Sequence, residues 1–178
     1  MEKLLKIPYA VFNDWNLLQQ FLERKGNPKY ELVGDVDLGN RKDISDLGNL
    51  VRVYGDLNLF WSSIQSLGDL EYVGGDLNLF RSSIQSLGNL EYVGGKLDLY
   101  YTQIQSLGNL VRVDGDLNLF DSLIKSLGNL EYVGGNLTLY DTTIESLENL
   151  QYVGGIIFLS DDHQIPEEQL TNFKFEDS

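Results

Sequence analysis

The sequence predicts an α/β repeat fold: a solenoid with a parallel β-sheet on its concave face, return segments of turns or 3₁₀ helix, and a helical cap at each end. Three observations predict it. Gly75 to Gly94 nearly copies Gly55 to Gly74, and glycines at 55, 75, 95, 115, 135 and 155 open successive 20-residue units, with Gly34 opening an earlier unit of 21. Each unit carries one short alternating stretch, Leu57/Leu59, Leu77/Leu79, Leu97/Leu99, Leu117/Leu119 and Leu137/Leu139, flanked by Val36/Leu38 and Ile157/Leu159. The stretches 1–33 and 160–178 abandon the period, so the chain divides into an N-terminal capping segment (1–33), seven coils (34–159) and a C-terminal capping segment (160–178).

The N-terminal segment carries a helix signal. Asn13 is placed to cap a helix running to about Arg24 or Lys25, with Trp15, Leu18, Phe21 and Leu22 at helical spacing and Gly26 then Pro28 as stops. That face is expected to cover the first coil rather than a membrane, because it carries no basic side.

In the coils, period-two leucines mean strands, and copies stacked in phase place them about 4.8 Å apart as a parallel sheet. Three more apolar columns are expected to point inward: Ile64 and its equivalents to Ile144, Leu67 to Leu147, and Leu70 with Val73 and theirs. A single coil cannot bury these side chains, whereas stacked coils cover one another. Between glycines, SLGNLEYVGG leaves room for little more than a turn, hence the expected turn or 3₁₀ return. The glycine that opens all seven units implies positive φ or close approach by the adjacent coil. The nine-residue calcium-binding β-roll does not fit a period of 20.

The stretch Leu77-x-Leu79-x-x-Ser82-x-Ile84 resembles the leucine-rich repeat core, with Ser62, Ser82, Thr102, Ser122 and Thr142 where that repeat has asparagine. The recurring Leu70-x-x-Val73-x-Gly75-x-Leu77-x-Leu79 is similar to the receptor L-domain variety, without its cysteines. The resemblance implies the solenoid fold over residues 34–159 and no particular function. Past Leu159, Pro166, Glu167 and Glu168 open a short helix bearing Leu170 and Phe173, expected to cover the last coil. His163, the only histidine, has no second imidazole or thiol with which to build a site.

Composition narrows function. A formal charge of −14 repels nucleic-acid backbones and anionic lipids, so no direct nucleic-acid or membrane partner is expected. The absence of cysteine removes disulfides and thiolate chemistry and, with no secretory h-region near the start, fits a cytoplasmic protein. No cofactor or metal is expected. Paired carboxylates such as Asp121 and Asp141 lack a pocket to set their protonation, which argues against an enzyme.

The candidate site is a partner-binding surface. Outward positions run Asp56, Asp76, Lys96, Asp116, Asn136; then Asn58, Asn78, Asp98, Asn118, Thr138; then the rings Phe60, Phe80, Tyr100, Phe120, Tyr140. The next column varies in otherwise near-identical units: Trp61, Arg81, Tyr101, Asp121, Asp141, with Leu123 an apolar residue two positions further on. Trp, Tyr and Arg are the residue types that dominate binding hot spots. The expectation is a protein-binding module that docks a partner with a basic surface on this acidic and aromatic face. One form is an inhibitor of a basic-grooved protein, as a phage or bacterial antagonist would be. Carbohydrate or small-ligand binding on the aromatic ladder is the alternative. A further column, Arg52, Tyr72, Tyr92, Arg112, Tyr132, Tyr152, is accounted for by Arg–Tyr stacking between coils.

Overall fold

The computed structural model describes residues 4–177 and is a parallel β-solenoid of about seven turns with few helices. Two eight-stranded parallel sheets run its length. The first orders Leu5–Pro8, Tyr30–Val33, Leu50–Val53, Tyr72–Val73, Tyr92–Val93, Arg112–Val113, Tyr132–Val133 and Tyr152–Val153. The second orders Val36–Asp37, Leu57–Asn58, Leu77–Asn78, Leu97–Asp98, Leu117–Asn118, Leu137–Thr138, Ile156–Leu159 and Lys174–Asp177. Register follows the repeat, Leu57 against Leu77, Leu77 against Leu97, Leu97 against Leu117 and Leu117 against Leu137.

The expected single sheet is therefore half of the arrangement. The return is a turn, closed by Leu70 N–H donating to Leu67 C=O at 3.1 Å, followed by a two-residue strand rather than 3₁₀ helix. A two-residue strand is too short for side-chain alternation to reveal it. It forms because identical backbones in successive coils follow the same path and present their N–H and C=O groups to one another. Among the described residues the one 3₁₀ segment is Tyr9–Val11, before the coils.

The predicted inward columns are buried in one continuous cluster, which extends from Ile7 through the coils to Leu170, except for Val153 in the last coil, which is half-buried against it. Burying one such leucine or isoleucine contributes about 1.5–3 kcal/mol, and each coil depends on its neighbours for that burial.

Helix α1, Trp15–Arg24, forms where the sequence places it, but its cap is Asp14, whose carboxylate accepts the Leu17 N–H at 3.0 Å. Asn13 stands one residue earlier in the left-handed region, φ 45°. Trp15, Leu18 and Leu22 are buried in the common cluster, while Phe21 is half-buried and contacts Phe12 at 5.2 Å between ring centroids. Helix α2, Glu167–Leu170, begins after Pro166 and buries Leu170. Two strands were hidden from pattern reading: Leu5–Pro8 pairs with Tyr30–Val33, and Lys174–Asp177 pairs with Ile156–Leu159.

The glycines opening the units are explained by close approach. Only Gly34 among them has positive φ, whereas a Cβ on Gly115 would lie 2.7 Å from Gly95 C and 2.8 Å from Lys96 N. Positive φ belongs to another column, Gly48, Gly68, Gly88, Gly108 and Gly128, at 58–60°, and continues at Glu148, φ 51°. At each of these the preceding residue but one accepts the backbone N–H: Asp46 Oδ1 for Gly48 and a serine Oγ from Gly68 to Glu148.

Candidate binding face

The outer side of the second sheet is built by three kinds of polar contact that fix its rings and rim. In the first outward column each side-chain oxygen accepts the backbone N–H of the residue below it in the next coil. Asp35 Oδ1 accepts Asp56 N–H at 3.0 Å, Asp56 Oδ1 accepts Asp76 N–H at 2.8 Å, and Asp76 Oδ1 accepts Lys96 N–H at 2.7 Å. Asp116 Oδ1 accepts Asn136 N–H at 2.7 Å and Asn136 Oδ1 accepts Ile156 N–H at 2.9 Å. Lys96 interrupts this ladder, since an ammonium cannot accept; its Nζ pairs instead with Asp98 Oδ2 at 3.0 Å.

In the second column the side chain accepts from its own strand two residues on. Asn58, Asn78, Asp98 and Asn118 take the N–H groups of Phe60, Phe80, Tyr100 and Phe120 at 3.0–3.3 Å. These Asx contacts lead the chain into the turn that carries the rim. Just beyond it, the Ser62, Thr102, Ser122 and Thr142 hydroxyls donate to the carbonyls of Leu59, Leu99, Leu119 and Leu139 at 2.7–2.8 Å. Much of the strip that reads as solvated acid is thus committed to holding backbone.

The rings of Phe60, Phe80, Tyr100, Phe120 and Tyr140 are half-buried. Phe80 and Tyr100 stack at 5.1 Å with planes 28° apart. Phe120 is turned, 5.0 Å from Tyr100 at 70° and 6.3 Å from Tyr140 at 80°. Tyr140 meets Phe158 at 5.9 Å. Phe158 was not among the predicted site residues; it occupies the Asn58/Asn78 column, where its equivalents are polar, and that exchange was the available signal. The Phe60 ring lies over Gly39, where a Cβ would come within 2.5 Å of ring carbons.

The variable column forms the rim, and all five of its residues have positive φ: Trp61 49°, Arg81 52°, Tyr101 59°, Asp121 50°, Asp141 54°. Asp tolerates this conformation, but bulky Trp, Arg and Tyr adopt it at a cost of about 1–2 kcal/mol each. Their side chains are presented outward, Trp61 56% and Tyr101 53% exposed, with Leu123 at 47% beside them. Asp121, Asp141 and Arg81 are exposed too. The Arg81 guanidinium carbon lies 5.3 Å from the Phe80 centroid and 5.1 Å from that of Tyr101. Lys42, absent from the predicted site, sits 5.2 Å from the Trp61 ring and donates to the Trp61 carbonyl.

A pocket of about 310 Å³ opens where the ring stack turns, lined by Lys96, Tyr100, Asp116, Asn118, Phe120, Asn136, Thr138 and Phe158. On the first sheet the expected Arg–Tyr stacking is made by Arg112, 3.7 Å from the Tyr132 centroid, while elsewhere tyrosine stacks on tyrosine, Tyr72 on Tyr92 at 5.0 Å and Tyr132 on Tyr152 at 4.7 Å. Among the described residues no group of three His, Cys, Asp or Glu side chains could hold a metal ion, and no helix is long and apolar enough to cross a membrane.

No family profile, curated protein or solved structure matches the chain.

Proposed function

We propose that the chain is a non-catalytic protein-binding module whose partner docks on the rim Trp61, Arg81, Tyr101, Asp121, Leu123 and Asp141, above the ladder of Phe60, Phe80, Tyr100, Phe120 and Tyr140. One observation carries the reading. Trp61, Arg81 and Tyr101, in three successive coils, occupy strained positive-φ turns with large side chains turned to solvent. Strain of this kind is retained where something other than folding uses it. The half-buried rings below would exclude water around the anchors, and the excess of carboxylates, −14 overall, favours a basic partner surface. An inhibitor that plugs a basic groove in a cytoplasmic target is the form of this activity the charge suits best.

The scaffold reading belongs to the same proposal. The solenoid is of leucine-rich-repeat type, supported by the hydroxyl column that serves leucine carbonyls at the asparagine position of that repeat, with α1 and α2 as its end caps.

The test is affinity capture with the triple variant Trp61→Asn, Arg81→Asn, Tyr101→Asn, chosen because asparagine tolerates positive φ. The partner recovered by the native chain should be lost while the circular dichroism spectrum is kept and the melt stays cooperative at no lower a temperature. Equal recovery by the variant would overturn the proposal.

A further inference from the structure

We propose that the pocket at the turned ring of Phe120 binds one ring of a neutral pyranose sugar. The pocket shares Tyr100 and Phe120 with the ladder beneath the rim but is lined by none of Trp61, Arg81 and Tyr101. Its volume of about 310 Å³ stands at the low end of ligand pockets, which suits a single sugar ring better than a peptide segment.

The walls are aromatic. Where Phe80 and Tyr100 lie face to face, nothing enters between them; Phe120, turned 70° from Tyr100 and 80° from Tyr140, breaks the stack and leaves ring surface free toward the cavity that Phe158 also lines. A pyranose offers such rings a flat face of C–H groups and directs its hydroxyls sideways.

The polar lining retains the right unused groups. Asn118 accepts from Phe120 N–H and gives one of its two amide N–H groups to Asp98, which leaves the second as a donor. Asp116 and Asn136 use only Oδ1 in the backbone ladder, which leaves Asp116 Oδ2 as an acceptor and Asn136 Nδ2 as a donor. Lys96 keeps N–H groups beyond its pair with Asp98. An ammonium beside a carboxylate serves a hydroxyl, which accepts from one and donates to the other. The same pairing disfavours ions: Asp98 and Asp116 oppose an anion, and Lys96 opposes a cation. Lys96 is also the single break in the acid ladder, and the break falls at this pocket.

Saturation-transfer NMR with the methyl pyranosides of glucose, galactose, mannose and N-acetylglucosamine at millimolar concentration tests the site. At least one glycoside should receive saturation at its ring C–H protons. Phe120→Ala should weaken binding about tenfold, and so should Asp116→Asn, the loss of one good contact or hydrogen bond. Asp116→Asn retains the Oδ1 that holds Asn136 N–H, so it reports on the sugar contact even if Phe120→Ala does not fold. Trp61→Asn should leave transfer unchanged. Tighter binding of the matching disaccharide would identify a glycan chain as the source, and equal binding a free sugar. Overturning outcomes are no transfer to any of the four glycosides, transfer undiminished in Asp116→Asn, or saturation of Nα-acetylarginine amide in their place.

Discussion

Asp56 reaches across to the next coil and accepts the backbone N–H of Asp76 on its Oδ1 at 2.8 Å. The contact is made by an atom that aspartate and asparagine share, and its charge is incidental. Asp56→Asn should therefore leave the urea midpoint unchanged, whereas Asp56→Ala should cost about 0.5–1.5 kcal/mol, one net hydrogen bond. Lys96→Asn should act in the opposite direction, because it restores an acceptor for the Asp116 N–H that the ladder now misses. Urea denaturation of the three variants beside the native chain checks all of this. Equal destabilisation by Asp56→Asn and Asp56→Ala would show that the carboxylate charge matters and the ladder does not.

Two glycines seven residues apart, Gly108 and Gly115, are glycine for different reasons, and alanine separates them. Gly108 has φ 59° and open space around a Cβ; Gly115 has ordinary φ but would place a Cβ 2.7–2.8 Å from the backbone of Gly95 and Lys96. Gly108→Ala should cost about 1–2 kcal/mol, the left-handed penalty alone, and Gly108→Asn less. Gly115→Ala meets backbone that cannot rotate away, so it should cost about 1–3 kcal/mol of overpacking or more, with no relief from asparagine. Thermal melts of the four variants beside the native chain give the comparison.

The repeat made the coil legible because every inward leucine is multiplied by stacking. Columns such as Leu57/Leu77/Leu97 pair in the expected register and lie in the core. What stayed hidden lacks a side-chain signature. Tyr72–Val73 is a strand because neighbouring coils repeat its backbone, and two residues show no alternation. Lys174–Asp177 joins the second sheet from outside the period altogether. The opening glycines allowed two explanations, and only coordinates could assign positive φ to Gly68 and Gly88 rather than to Gly75 and Gly95. At the candidate face the ring column and the variable rim were both readable. The ladder was not, because Asp and Asn in exposed positions look like solvated surface unless the exchange between them is read as a shared Oδ1. The pocket escaped for a related reason: it depends on the rotation of Phe120 and on Phe158 replacing a polar residue, neither of which the period encodes.

The strained rim predicts an opposition between stability and binding. Coil one places Asn40 at the rim position with φ 59°, and asparagine visits that region at little cost. Trp61→Asn and Tyr101→Asn should each raise stability by about 1 kcal/mol, somewhat less than the full left-handed penalty because ring contacts such as that of Tyr101 with Tyr100 are lost. Glu148→Gly should do the same at the other positive-φ column, with no effect on the rim. Denaturation midpoints measure the gain, and the capture assay shows whether the first two lose the partner while the third keeps it.

Tyr92 supplies a pH-dependent handle on the first sheet. Its hydroxyl donates to Asp114 Oδ2 at 2.5 Å, and Arg112 Nε donates to Asp114 Oδ1 at 2.6 Å. The hydrogen bond to the carboxylate, followed by burial, pushes the phenol from its usual 10.0 up to about 12. A group whose pKa is higher folded than unfolded stabilises the fold fully below the unfolded value and loses that contribution as pH passes the folded one. Stability from Tyr92 should therefore be intact up to about pH 10 and fall away toward pH 12. Burial also raises the phenols of Tyr9 and Tyr30, so the measurement must be a difference. In Tyr92→Phe the urea midpoint should be lower at neutral pH and decline less between those limits. Its phenolate absorbance should lack one late-titrating group. A late step equal in size to that of the native chain would show that the Asp114 contact does not govern this phenol in solution.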